Sequence, residues 1–297
     1  MGRPRTHPQA PVGGFGHDGG VRKIDQEALV SVRMIVTDLD GTLLLPDKTT
    51  SPRTVRAVEA ARDAGVFMLA ATGRSIRDVR VLPEALTSLV VCSNGAVVYN
   101  AEQDQVLQTR TISGEVVAAF IEQFAEVAPD ARYATLINGG YDLTPGPGYL
   151  DLLMPGDHGR DPATLTEVPL ARLSSTDAVK LICRHPDLHV DTLYEMTRQA
   201  AHVGVLPTTS GVPFVEMSAA GVSKASTLAR LAADRGIEPS EVVVFGDSVN
   251  DAEMVQWAGH GVAMGNAVPQ TLAVADEVAP SNIDDGVAVV LERLLGL

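Results

Sequence analysis

Apolar residues along this chain fall into short solid runs, and most of these runs stop at a cluster of glycine with carboxylate or hydroxyl side chains. Met34-Ile35-Val36, VFMLAA (66–71), LVVC (89–92) and EVVVF (241–245) have the length of strands covered on both faces. Helical spacing takes over between them. Ser51-Pro52 predicts an N-cap and first helical position, Val55, Val58 and Ala61 an apolar face, and Gly65 a stop. Ser75 predicts the cap of a second helix. Ser223 predicts the cap of another, with Leu228 and Leu231 inward and Gly236 as its end. GVAMG, a helix, DEVAP and a helix from Asp285 finish the pattern. Strands and helices alternating at this spacing imply an α/β fold with a doubly wound parallel sheet and right-handed crossovers.

The rhythm changes in the middle. AVVYN, AEQDQ and VLQTRTI read as a hairpin, followed by a helix from about Ser113 to Ala128. Residues 139–159 are rich in Gly and Pro and carry no clear element. AVKLICR (178–184) reads as a strand, 187–200 as a helix, and HVGVL and PFVEMS as two further strands. We therefore expect an α+β cap domain at 96–212, inserted into a core made of 32–95 and 213–297. Only the twelve residues 39–50 separate Asp38 from the first helix, so no domain fits there. Residues 1–31 are rich in Gly, Pro, Arg and Gln without an apolar signal core, and predict a disordered tail. Gly14, Gly16 and Gly19 formally spell G-x-G-x-x-G there, but no strand precedes them and no helix follows. Met1-Gly2 with Thr6 fits a myristoylation pattern only formally.

Composition narrows the partners. A length of 297 residues favours two domains over one core. The net charge of −14 argues against nucleic acid or an anionic membrane as partner. An anionic substrate would then need local positive charge from a metal or placed cations. Cys92 and Cys183 lie inside apolar runs, which predicts buried free thiols and a cytoplasmic setting. No apolar run approaches the roughly 18 residues of a membrane helix. We expect a monomer or homodimer.

The chemistry lies at the strand ends. Asp38 and Asp40 follow the first strand, and Gly41 permits a sharp turn. Alone, Asp-x-Asp-Gly also fits a plain acidic turn. Thr72-Gly73-Arg74 and Gly246-Asp247, with Asn250-Asp251 beyond, end two more strands on the side where parallel sheets bind ligands. Turn chemistry explains three such ends poorly. Lys224 sits at a predicted helix N-terminus, where the dipole opposes a cation by a few tenths to about 1 kcal/mol. An anion between it and the first-turn N–H groups would explain it. Asp38, Asp247 and Asp251 would carry three negative charges before an anionic substrate arrived. Mg2+ and Lys224 together balance them, and an oxygen-only ligand set favours Mg2+ over zinc.

DLDGTLL, ATGR, GVSK and GDSVND, in this order, resemble the four motifs of the haloacid dehalogenase-like phosphatases. SNGA, GVAMGNA and the late DDGVA are similar to the Cof-like branch, whose cap lies between the second and third motifs. The resemblance covers about 33–96 and 213–297, and the cap by size and strand order only. It implies a Rossmann-like core and a Mg2+-dependent phosphatase acting on a small phosphorylated metabolite through an aspartyl-phosphate. Asp38 would be nucleophile and metal ligand. Asp40, held protonated beside it, would be the acid/base and lend its backbone carbonyl to the metal. Asp247 would bind metal, with Asp251 acting through water or from behind. Thr72, Gly73, Lys224 and Asn250 would hold or orient the phosphoryl group. Phosphosugars head the substrate candidates, with flavin mononucleotide or pyridoxal phosphate also fitting. A phosphomutase would need a bisphosphate activator, and a non-catalytic sugar-phosphate sensor would need neither nucleophile nor acid.

Several residues remain two-sided. Arg74 fits either a substrate contact or a surface ion pair, and Lys180 is equally undecided. Asn94 fits a turn, a hinge or a substrate contact. His158 beside Asp157 could reach substrate or sit in a loop. His185 and His189, with Pro186 and Asp187 between them, read as a solvated helix end rather than a metal pair.

Overall fold

The computed structural model describes residues 32–80, 88–154, 157–200 and 204–297. The expected disordered tail, 1–31, lies outside the described residues, as do the first two residues of HVGVL. The chain opens with β1 (Met34–Thr37), α1 (Pro52–Asp63), β2 (Phe67–Ala71), α2 (Ile76–Val79) and β3 (Leu89–Cys92). A hairpin of β4 (Val97–Asn100) and β5 (Gln105–Thr109) follows. Next come α3 (Gly114–Phe124), β6 (Arg132–Ile137), β7 (Asp142–Pro145), α4 (Leu170–Leu173), β8 (Lys180–Arg184), α5 (Val190–Ala200), β9 (Val205–Thr208) and β10 (Val215–Ala219). The chain closes with α6 (Lys224–Ala233), β11 (Val242–Gly246), α7 (Ala252–Trp257), β12 (His260–Ala263), α8 (Pro269–Leu272), β13 (Glu277–Val278) and α9 (Gly286–Leu295).

Two sheets result. The larger runs β13-β12-β11-β1-β2-β3-β4-β5, parallel from β13 to β3 and antiparallel at β4 and β5. Its solid apolar strands follow from helices on both faces. Met34 and Val36 pack with Leu69, Ala225, Leu228 and Met254 on the α6–α7 side. Ile35 between them packs with Ala57, Val58, Val287 and Leu291 on the α1–α9 side. A strand with period-2 side chains and two cores has no polar face to show. The helix starts behave as expected: the Ser51 hydroxyl accepts from Thr54 N–H at 3.0 Å, and the Ser223 hydroxyl from Ser226 N–H at 3.1 Å.

The smaller sheet, β7-β6-β8-β10-β9, is antiparallel throughout and has one apolar face. Leu181, Cys183, Val215 and Met217 pack under Phe120 and Phe124 of α3 and Leu193 of α5. The alternate residues Lys180, Ile182 and Glu216 face the carboxyl ends of the larger sheet, and the Lys180 ammonium donates to Gly73 O at 2.8 Å.

Sheet membership moves both expected boundaries of the inserted segment. β4 and β5 extend the larger sheet, so the crossover follows Thr109 rather than residue 95. The exposed edge of β3 needs a partner, and Val97, Val98 and Tyr99 are buried in satisfying it. At the other end β10 pairs with β8 and β9, so the smaller sheet continues to Ala219 rather than stopping at 212. β6, RYATLI, is a strand that the sequence pattern did not single out. The Gly/Pro-rich stretch resolves into a left-handed turn at Asn138–Gly140, then β7, then short 3-10 turns. The helix expected over 187–200 starts at Val190. Cys92 and Cys183 are buried free thiols, and burial pushes both pKa values up. No helix among the described residues is long and apolar enough to cross a membrane.

After β3, Ser93, Asn94 and Gly95 all take positive φ, at 51°, 55° and 101°. A Cβ on Gly95 would lie 2.1 Å from the Ser223 carbonyl oxygen, the residue that caps α6. Gly95→Ala should therefore push α6 off this turn. We expect a loss of about 2–4 kcal/mol, a melting temperature lower by roughly 5–12 °C, in thermal denaturation.

Candidate active site

Asp38 follows β1 directly, and its backbone N–H donates to Phe245 O of the neighbouring β11 at 3.0 Å. Gly41 then turns the chain with φ of 80°, and a Cβ there would lie 2.4 Å from an Asp247 carboxylate oxygen. Glycine is thus required for the Asp38 turn to close against the end of β11. Carboxylate oxygens of Asp38, Asp247 and Asp251 come within 4.8 Å of one another.

Lys224 holds this cluster together. Its ammonium donates to Asp38 Oδ1 and to Asp251 Oδ1, both at 2.7 Å, with all three side chains buried. Burial opposes its charge, but Asp251 and Asp38 outweigh that and hold its pKa above the ordinary lysine value. Asp251 is fully engaged, because its Oδ2 accepts from Asp247 N–H at 3.0 Å and Ser248 N–H at 2.9 Å. Asp247 takes a 2.7 Å hydrogen bond from the Thr42 hydroxyl on one oxygen and a 3.4 Å contact from Ser248 on the other. One ammonium among three carboxylates leaves negative charge in excess. Burial pushes the Asp38 pKa upward against Lys224, with Asp251 and Asp247 adding to the rise. Burial and then Asp251 raise Asp247 to about 6. A compact oxygen-only donor set that lacks positive charge fits a hard divalent cation. Asp38 and Asp247 have oxygens left for it, whereas Asp251 spends both of its own on Lys224 and the loop.

Asp40 departs from expectation. Arg74 grips it with Nε to Oδ2 at 2.6 Å and Nη2 to Oδ1 at 2.7 Å, and the Lys48 ammonium adds 2.8 Å to Oδ1. Partial burial works against ionisation, but these hydrogen bonds and charges bring its pKa down to about 2. Here Asp40 is a carboxylate, not the protonated acid expected beside Asp38. The reason is that Arg74 folds back across the turn, an ion pair rather than an open substrate contact.

Thr72 is buried, and its hydroxyl accepts from Arg74 N–H at 3.1 Å. Thr72 and Gly73 line, with Asp38, Asp40 and Asn250, a cavity of about 720 Å3 between the two sheets. Asn250 and Asn94 act as a pair: Asn250 Nδ2 donates to Asn94 Oδ1 at 3.0 Å, and Asn94 Nδ2 to Glu216 Oε2 at 2.9 Å. The other Glu216 oxygen takes the Lys180 ammonium, which also reaches Gly73. Thus Lys180 ties the smaller sheet to the loop after β2, and Asn94 ties it to the turn after β3. Glu216, the hub of that chain, escaped notice because it alternates with Val215 and Met217 like any outward strand residue. His158 lines the cavity wall, with its Nε2 2.8 Å from the Tyr149 hydroxyl and its ring 4.6 Å from Phe214. Burial, followed by Arg184, lowers its pKa to about 4, so it is neutral. His185 accepts from Asp187 and Leu188 N–H groups and His189 is exposed, so they form a helix entry and no metal pair.

The family described as haloacid dehalogenase-like hydrolase matches residues 35–291. A 5-amino-6-(5-phospho-D-ribitylamino)uracil phosphatase of Bacillus subtilis is 28% identical over 283 residues, covering 89% of this chain and 98% of its own. A pyridoxal phosphate phosphatase of Escherichia coli is 30% identical over 274 residues, covering 87% and 97%. A crystal structure from Thermotoga maritima superposes with a TM-score of 0.69 at 27% identity, covering 88% of this chain and 97% of that one.

The raised carboxylates carry a pH dependence. Asp247 sits at about 6 against an ordinary 3.8, so its contribution to the metal-free fold is complete below 3.8 and lost as pH rises through 6. A divalent cation must displace that proton, so its affinity should rise roughly tenfold per pH unit up to about 6. Thermal denaturation should show Mg2+ raising the melting temperature far more at pH 7.5 than at pH 5. Equal shifts at both would place the cation elsewhere.

Proposed function

Because the chain belongs to the haloacid dehalogenase-like hydrolases and is a phosphatase of phosphoric monoesters, we propose that it is Mg2+-dependent and works through an aspartyl-phosphate on Asp38. The observation that carries this reading is the Asp38 carboxylate, positioned by Lys224 at the floor of a cavity large enough for a small metabolite. Asp38, the Asp40 backbone carbonyl and Asp247 would hold Mg2+, which when bound supplies charge that draws the phosphate dianion against the carboxylates.

One Asp38 carboxylate oxygen attacks phosphorus in line, and the bond from phosphorus to the leaving oxygen breaks as the new one forms. The Lys224 ammonium keeps that carboxylate oriented and the Thr72 hydroxyl faces the transferring oxygens. Asp40 cannot give a proton while Arg74 and Lys48 hold its pKa near 2. A phosphoryl group entering beside Thr72 competes for Arg74, and each hydrogen bond withdrawn from Asp40 raises its pKa toward that of a useful acid. Asp40 then protonates the leaving oxygen and later takes a proton from the water that hydrolyses the acyl phosphate. The substrate is a small phosphorylated metabolite, the class named for the Bacillus and Escherichia relatives.

Release of inorganic phosphate tests this. Asp38→Asn should keep its fold and lose on the order of 10³-fold or more in kcat. Asp40→Asn should harm alkyl phosphates, whose leaving oxygen needs a proton, far more than p-nitrophenyl phosphate. Near wild-type turnover by Asp38→Asn with Mg2+ present would refute the nucleophile.

A further inference from the structure

Among the described residues five cations line the cavity: Lys48, Arg74, Arg77, Arg160 and Lys180. Three are committed to carboxylates, Lys48 and Arg74 to Asp40 and Lys180 to Glu216. Arg77 and Arg160 have no carboxylate within ion-pair distance among the described residues. Arg77 projects from α2 on the larger-sheet side. Arg160 follows the 3-10 turn Asp157–Gly159 on the smaller-sheet side, where its Nη2 donates to the Tyr141 carbonyl. That bond fixes the guanidinium and leaves its other N–H groups free. Asp78 lies near, but its Oδ2 accepts from the Ser75 hydroxyl at 2.7 Å and from Ser75 N–H at 3.3 Å. After burial, Arg77 is the next cause lowering the Arg160 pKa, and Asp78 and Asp142 offset only part of that. Two guanidiniums lining one cavity, neither in an ion pair among the described residues, are an arrangement that an anion would stabilise in a chain of net charge −14.

We propose that Arg77 and Arg160 form a second oxyanion subsite, so that the preferred substrate carries a further carboxylate or phosphate beyond the phosphate that is cleaved. The proposal rests on the phosphatase reading of the same cavity and deepens it. Arginine is suited to this role because its planar fork meets carboxylate and phosphate oxygens in pairs. One arginine comes from each side of the cavity, so an anion bound by both also bridges the two sheets over the site. A general attraction for anions does not account for such a preference, since the protein as a whole repels them.

Matched inhibitor pairs test it. The Ki of glucose 6-phosphate is compared with that of 6-phosphogluconate, and fructose 6-phosphate with fructose 1,6-bisphosphate, against p-nitrophenyl phosphate turnover with Mg2+. Wild type should bind the second-anion member of at least one pair tenfold or more tightly; the pair that responds tells carboxylate from phosphate. Arg77→Gln and Arg160→Gln should each bring that Ki ratio toward one, and Arg160→Lys should keep part of it. A wild-type ratio of one in both pairs, or a ratio that survives both glutamine variants, overturns the subsite. If p-nitrophenyl phosphate is not turned over, the phosphatase reading fails instead, and the same ratios are read by calorimetry.

Discussion

The buried contact of Lys224 with Asp38 and Asp251 is the constraint around which the rest is arranged. Those residues are 186 and 27 positions from the lysine along the chain, so the contact exists only when β1, α6 and the loop after β11 meet at one point. Removing one partner from a buried ion pair typically costs about 3–5 kcal/mol. The surroundings accordingly hold Lys224 from several sides. Ser223 caps its helix, Gly95 lets the β3 turn press against the Ser223 carbonyl, and the Thr227 hydroxyl donates to Gly95 O at 2.8 Å. The dipole at the start of α6 opposes the ammonium by at most about 1 kcal/mol, which two carboxylates at 2.7 Å overcome.

Around this fixed group the site is divided between stiff and adjustable parts. Asp38, Asp251 and Thr72 are buried and each is held by backbone or lysine hydrogen bonds. Asp40 is different: it is partly open to solvent and held by two long side chains, Arg74 and Lys48. A carboxylate whose partners are mobile cations can change protonation state when a phosphate competes for them.

Much of the core was legible in the sequence because two-sided burial leaves solid apolar runs, and because Asp38, Thr72 and Asp247 each stand within two residues of the end of one. The Gly41 and Lys224 positions were legible for physical reasons too, a forced turn and a cation at the wrong end of a helix. Other features were hidden. The VVY run of β4 reads alike whichever sheet it joins, so the crossover could not be placed. β10 alternates as a one-faced strand in either setting, and Glu216 gives no sign of meeting Lys180 and Asn94. The ionised state of Asp40 depends on Arg74, 34 residues away, folding back across the turn. Arg77 and Arg160 are separated by the whole β3–β7 segment, and only the fold brings them to one cavity.

The most direct test of the organising contact is the pH dependence of stability in Lys224→Met, measured by denaturation without divalent cation and compared with wild type. Methionine keeps the volume and removes the charge, so the Asp38, Asp247 and Asp251 cluster loses the buried cation that bonds Asp38 and Asp251. The protonated forms of Asp38 and Asp247 then favour the fold more strongly, and stability should fall more steeply than in wild type as pH rises from 5 to 8, by about 3–5 kcal/mol at the upper end. A variant whose stability follows the wild-type pH curve would contradict the account.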